Sequence, residues 1–244
     1  HLGRVVNRPI QVRVALNYDD AVNLLIEDPD IQLAELTAYP YLLAKRRDPN
    51  IHVLATPISQ KVKTYESYFV VRRDDPAQEL ADVEGRRVCF IDHTSTSGYL
   101  MPRAMLRKAG HDPDHFFESV QFSGNHYRAL RDLLADRCDV ATVTSPAFLT
   151  AGQRNISVSK VRIIAVSSSL PNGVFCAASD LSPDLVDSLR QALLEFDVHT
   201  VLGQEALSKM VPLTGFARVP DDAFDALAQE VELLHRRGSA HPVK

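Results

Sequence analysis

Residues 86–110 read RRVCFIDHTSTSGYLMPRAMLRKAG, an apolar run, four hydroxyl residues, a glycine and an amphipathic stretch. The apolar run RRVCFID has strand character. The segment after it enters a helix that stops at Gly110, a residue suited to a helix C-terminus. The same strand–helix alternation extends in both directions. Upstream, IQVRVAL, IQLAEL, IHVLATPIS and SYFVVRR read as strands, with DDAVNLLIE and AYPYLLAKR as helices between them. Downstream come VQFSG, the helix HYRALRDLLADR, and the strands CDVATV and VRIIAVS. The tail reads as the helices SPDLVDSLRQALLEFD, LGQEALSKMV and PDDAFDALAQEVELLHRR. Strands separated by helices predict an α/β fold with helices on both faces of mostly parallel sheets.

The chain has 244 residues, enough for two such lobes, and no internal repeat. Its composition, 45% hydrophobic and 24% charged, excludes a disordered or fibrous chain. Lys and Arg total 27 against 31 Asp and Glu, a net charge of −4, which argues against a nucleic-acid coat or an anionic-membrane binder. No apolar run has bilayer-spanning length, and HLGRVVNRPI contains no signal-peptide hydrophobic region. Cys89, Cys138 and Cys176 are few, widely spaced and set in or beside apolar runs. They read as three small buried hydrophobes, with neither a disulfide framework nor an activated thiol.

Four hydroxyls in a row, Thr94 to Ser97, lie between a strand and a helix and lead into Gly98. A helix start offers unpaired N–H groups and the positive end of its dipole, so it favours an anion. Several short donors converging there suit a tetrahedral oxyanion, and Gly98 would let a ligand approach the backbone. Capping alone needs only one such hydroxyl. The chain lacks GxxxxGK[ST], GxGxxG after a strand, and GxSxG, which leaves nucleotide hydrolysis and acyl transfer without support. A second strand-to-helix junction reads Phe122-Ser123-Gly124-Asn125-His126-Tyr127. There His126 either donates to an anion, titrating between about pH 5 and 8, or sits at the surface behind a capping residue. The His111–His115 stretch, HDPDH, is broken by Pro113 and reads as a solvated loop without further metal ligands. Tyr18 directly precedes the first strong helix, where its hydroxyl could face a cleft.

With Ser95-Thr96-Ser97-Gly98-Tyr99, Pro102 and Gly124-Asn125-His126 in view, the chain resembles the phosphate/phosphite/phosphonate-binding proteins. These are substrate-binding components of ABC importers with a type II periplasmic-binding-protein fold. Further matching features are Tyr18, the run from Ile31 to Ala44, Tyr65-Glu66-Ser67, Pro171-Asn172 and Gly215-Phe216. The resemblance covers nearly the whole chain. It implies two lobes, with 1–75 and 174–244 forming the first and 76–173 the second, which carries both motifs. The strand and helix that normally precede the IQVRVAL segment, and the export signal, are missing from this sequence. Residues implied to hold the ligand are Ser95, Thr96, Ser97, Gly98 and His126, with Tyr18 and Tyr65 closing from the other lobe. The implied activity is capture of a small phosphorus oxyanion for an ABC permease by a periplasmic or membrane-anchored extracytoplasmic protein. That protein is expected to be a monomer with no cofactor, metal, nucleic-acid partner or enzymatic role.

The rivals are a sensory domain of the same fold, and an enzyme of that fold acting on a phosphorylated or pyrimidine-like metabolite. Only His126 offers the second rival a base. Aminophosphonate binders of the family carry acids where this chain has Gly173-Val174 and, in a less certain alignment, Pro146. The usual glycine after the second strand reads Glu35-Leu36-Thr37. A ligand without an ammonium group is therefore expected.

Overall fold

Two larger sheets, one of four and one of five strands, organise the described residues, and each belongs to its own structural unit. The computed structural model describes residues 1–59, 64–198 and 213–238. One unit combines His1–Thr64 with Pro171–Asp225, and the other combines Tyr65–Leu170 with Ala226–Lys244. The first unit contains α1 (Leu2–Val5), α2 (Tyr18–Glu27), β1 (Leu33–Leu36), α3 (Ala38–Arg47) and β2 (His52–Ser59). Short strands β3 (Thr64–Tyr65) and β9 (Leu170–Pro171) mark the two connections. The middle of the chain holds β4 (Ser67–Arg72), β5 (Arg87–Phe90), α4 (Met101–Lys108), β6 (Ser119–Phe122) and α5 (His126–Leu134). It continues through β7 (Val140–Thr144), α6 (Ser145–Thr150) and β8 (Val161–Val166). The chain then re-enters the first unit with β10 (Val174–Ala177), α7 (Pro183–Leu194) and β11 (Leu213–Ala217), and α8 (Asp225–Gly238) follows.

The first unit's sheet has the order β1-β10-β2-β11, and every neighbouring pair in it is antiparallel. The second has the order β6-β5-β7-β4-β8. There β5 runs parallel to β6 and β7, while β4 is antiparallel to both β7 and β8. The sheets are thus mixed, with more antiparallel pairing than the strand–helix alternation predicts. The physical reason is the path between units: β4 and β10 each enter a sheet from outside it and insert between strands running the other way.

Sequence boundaries and observed boundaries differ. The division falls at 64/65 and 170/171, not at 75/76 and 173/174, and α8 groups with the middle segment. Val70 and Val71 of β4 are fully buried between β7 and β8, so the strand expected in SYFVVRR belongs to the second sheet, ahead of the expected boundary at 75/76. The expected strand IQVRVAL does not form. Residues 9–15 have no regular structure, and Val12, Val14 and Leu16 are 86%, 86% and 91% exposed. Alternation gives the segment strand propensity, but a strand exists only where a partner ladder satisfies its backbone. The expected helix LGQEALSKMV at 202–211 lies outside the described residues.

The second unit's core gathers Phe69, Val71, Val83, Val88, Phe90, Leu106, Phe116, Phe117 and Val140. Phe90 meets Phe117 and Tyr99 edge-on, with centroids 5.8 and 5.2 Å apart. Burying each such ring contributes about 1.5–3 kcal/mol, which fixes the end of β5 where the hydroxyl loop begins. The first unit's core packs Val186, Leu189 and Leu193 of α7 on Leu54, Ala55 and Ala177.

The cysteine reading is corrected. Cys89 and Cys138 form a disulfide with a Cα–Cα distance of 5.9 Å. Because β5 and β7 are neighbours in the second sheet, two residues 49 positions apart come within bonding reach. Cys176 alone is free and buried, and burial pushes its thiol up to about 12, so it is inert.

Candidate functional site

A hydrogen-bonded loop, a cap and one widened helical turn separate β5 from α4. Asp92 Oδ1 accepts from both the backbone N–H (2.9 Å) and the hydroxyl (2.8 Å) of Thr94, which closes the loop on itself. Ser95 then caps the helix, its Oγ accepting the Gly98 N–H at 3.1 Å. The first turn, Thr96–Leu100, is widened: the Leu100 and Met101 N–H groups reach back five residues, to Ser95 O and Thr96 O. Such widened turns recur at functional sites. α4 continues from this turn with Pro102 near its start, and the Ser97 and Gly98 carbonyls that the missing N–H could have served take side-chain donors instead.

Thr94 and Ser95 therefore serve the loop, and Thr96 and Ser97 stand at the mouth of the helix. They are nearly enclosed, 1% and 3% exposed. Two buried hydroxyls hold this turn from beneath. Ser67 of β4 donates to the Ser97 carbonyl at 2.6 Å, and Thr142 of β7 donates to the Gly98 carbonyl at 2.8 Å. The Ile91 N–H also donates to Gly98 O, at 3.2 Å. The Ser97 and Gly98 carbonyls are thus satisfied from below, and the start of the helix carries the positive end of its dipole, the polarity that suits an anion.

Gly98 has a different reason to be glycine than the expected one. A Cβ there would overlap the side chain of Ile91 and come within 2.8 Å of Ser95 Oγ. Its hydrogen atoms face the core, its N–H is taken by Ser95, and its contribution is close packing of the helix start on β5.

His126 opens α5 behind its cap Asn125, whose side chain accepts the Arg128 N–H at 2.9 Å. Its Nδ1 is buried and has no hydrogen-bond partner among the described residues. Burial pushes the imidazole down to about 4, partly opposed by a hydrogen bond with the Thr142 backbone. This corrects the expected titration between pH 5 and 8: the group is neutral throughout that range. Thr142 thus touches both motifs, Gly98 through its hydroxyl and His126 through its backbone. Sequence reading missed Thr142, and only its position as a polar residue in the buried strand VATVT hinted at it. The turn before His126 hangs on β5, with the Ser123 and Gly124 N–H groups donating to Phe90 O and Ile91 O at 2.9 Å each. Gly124 has φ +78°, a conformation that glycine adopts without strain.

The structure brings Ser95, Thr96, Ser97, Gly98 and His126 together in the second unit. Tyr65 is the first residue of that same unit, which corrects its expected place in the other lobe. Glu66 and Ser67 after it are pinned by Ser145 and Ser167: the Glu66 N–H donates to Ser145 Oγ at 3.0 Å and the Ser67 N–H to Ser167 Oγ at 2.9 Å. Tyr18 belongs to the first unit, as the first residue of α2 behind the cap Asn17. Gly173, where an acid was sought, has no room for one, since a Cβ would collide with the Leu36 carbonyl and sit 3.0 Å from Thr37 Cα. Glu35 lies on β1, where partial desolvation by its neighbours raises its carboxyl above the ordinary value.

Comparison with known proteins places this geometry. The model of the phosphonate ABC transporter periplasmic substrate-binding protein family matches residues 1–224. The phosphate-import protein PhnD of Mycolicibacterium smegmatis is 26% identical over 200 residues, 77% of this chain and 59% of that protein. The chain thus spans about three-fifths of that relative's length. PhnD1 from Prochlorococcus marinus, solved in complex with methylphosphonate, superposes with a TM-score of 0.84 at 19% identity, covering 96% of this chain and 89% of that one. A binding-protein component of an ABC phosphonate transporter from Pseudomonas aeruginosa gives 0.83 at 19% identity, covering 97% and 78%. At these identities the structures show a shared fold, that of type II periplasmic binding proteins.

Proposed function

The chain belongs to the family of periplasmic substrate-binding proteins of phosphonate ABC transporters, and on that premise we propose that it captures a small phosphorus oxyanion and delivers it to an ABC permease. The observation that carries the reading is the enclosed helix start at Thr96 and Ser97, tied through Thr142 to His126. Ser95, Thr96, Ser97 and the start of the helix hold the oxygens, and His126 and Tyr65 of the same unit meet them. Neutral donors suffice because hydrogen bonds to a charged oxygen in an enclosed site are strong. The protein acts by binding alone, as a monomer outside the cytoplasm. The Cys89–Cys138 disulfide supports such a compartment, since disulfides persist where the surroundings are oxidising. No helix among the described residues is long and apolar enough to cross a membrane.

The ligand carries no ammonium group. Closing a site around an unpaired ammonium costs several kcal/mol, and the position at Gly173 is sterically closed to an acid. Calorimetry with phosphite, phosphate, methylphosphonate, 2-aminoethylphosphonate and sulfate tests both statements. Phosphite or methylphosphonate is expected to bind at least about tenfold more tightly than 2-aminoethylphosphonate. Absence of binding by every phosphorus ligand would refute the function. Tightest binding by 2-aminoethylphosphonate would refute the selectivity alone and point to Glu35 as its partner.

A further inference from the structure

Beneath the turn that carries His126 lies a buried carboxylate with no part in the binding just described. Asp132, in the second turn of α5, is 1% exposed. Its Oδ2 accepts from the Ser123 hydroxyl at 2.9 Å and from Gln121 Nε2 at 3.3 Å, and its Oδ1 accepts from Arg137 Nη1 at 2.8 Å. Arg128 Nε stands 3.9 Å from Oδ2. Arg137 and Arg128 are largely exposed, so solvent weakens what they contribute. Ser123, itself 1% exposed, is the buried donor, while Gln121 on β6 is exposed.

A buried charge is a poor way to gain stability, because apolar packing of similar volume often does as well or better. What the carboxylate does here is geometric. Ser123 immediately precedes Gly124, whose left-handed backbone turns the chain into Asn125 and His126. The Ser123 and Gly124 N–H groups are fixed to the end of β5 on one side. The Ser123 hydroxyl is fixed to α5 on the other, through Asp132. The turn is thereby held at both ends, and the helix that His126 begins cannot slide along its axis relative to Thr142.

We propose that Asp132 is a positioning residue for the oxyanion site: acting through Ser123, it sets the Ser123–Gly124 turn and so the placement of the His126 ring. The inference rests on the reading that His126 meets the ligand. It assigns a binding role to a residue that touches no ligand.

Methylphosphonate titrations of Asp132→Asn, Ser123→Ala, Ser123→Thr and the Asp132→Asn/Ser123→Ala double variant test it, with NMR of the His126 ring in the ligand-free proteins. Asp132→Asn and Ser123→Ala are each expected to weaken methylphosphonate about tenfold and to shift the His126 ring resonances. The double variant is expected to be no weaker than the worse single one, since both act on the same link: asparagine keeps an acceptor but loses the charge that strengthens the bond, and alanine removes the donor. Ser123→Thr restores the hydroxyl and is expected to restore affinity. A lowered melting temperature with affinity and ring resonances unchanged would overturn the proposal and leave Asp132 a stability residue. If Asp132→Asn does not fold, unchanged binding by Ser123→Ala overturns it equally. His126→Ala separates the two levels: unchanged binding in that variant removes His126 from the site and this inference with it, whereas loss of binding there, with Ser123→Ala and Asp132→Asn neutral, overturns this inference alone.

Discussion

Replacing His126 by asparagine removes a group that the fold holds neutral, and the consequence is readable without any ligand. An imidazole in the unfolded chain titrates near 6.5, and burial holds this one at about 4 in the folded protein. Between those values the unfolded chain binds more protons, so stability is complete above pH 6.5 and is lost as pH falls toward 4. For this single group the loss amounts to about 2 kcal/mol between pH 7 and 5, and about 3 kcal/mol by pH 4. Carboxylates also titrate as the solution is acidified, Asp139 among them, held low by its hydrogen bonds to Arg87. They contribute equally to both proteins, so the difference between wild type and His126→Asn isolates the imidazole. Urea unfolding at pH 7, 6 and 5 is the assay. The variant is expected to lose about 2 kcal/mol less than the wild type over that interval. Parallel pH profiles would refute the reasoning, because they would mean that His126 is hydrated and titrates normally in the fold.

Three further outcomes are expected. Ser97→Ala should weaken methylphosphonate by about 1–3 kcal/mol in calorimetry, with little change in the ligand-free melting temperature, since Ser67 holds Ser97 through its carbonyl. Equal losses of binding and stability would make Ser97 a structural residue. Thr142→Val removes the hydroxyl donor to the Gly98 carbonyl, which keeps the Ile91 N–H, and should lower stability by about 0.5–1.5 kcal/mol and weaken binding as well. Unchanged binding in a destabilised variant would disconnect β7 from the site. Cys89→Ala/Cys138→Ala should lower the melting temperature, the loop-closure account giving about 4 kcal/mol as its upper value for a 49-residue separation. Insensitivity of the wild type's melting temperature to a reductant that demonstrably opens the bond would refute that role.

The hydroxyl loop was legible because its information is local. A strand pattern, a run of Thr and Ser, and a helix with early Pro102 together specify where β5 stops and α4 begins. His126 was legible for the same reason, at a second strand-to-helix junction. What the sequence withheld is set by pairing at a distance. IQVRVAL has the alternation of a strand but no ladder, and nothing inside seven residues reports whether a partner exists. Cys89 and Cys138 become neighbours only because β5 and β7 do. Thr142 looks like one more residue of a buried strand until its hydroxyl is seen under Gly98. Gly98 has a packing cause that the loop pattern does not show, since the atoms that most exclude a side chain are on Ile91, seven residues earlier.

The disulfide has a consequence for how the chain is made. Both cysteines lie within the uninterrupted middle segment, 65–170, which alone supplies the second sheet. A chain threaded outward from its N-terminus has delivered both thiols once residue 138 emerges, before the segment that completes the first unit has arrived. Oxidation can therefore staple the second sheet before the segment that completes the first unit has emerged. A chain produced in reducing cytosol goes without that staple during assembly.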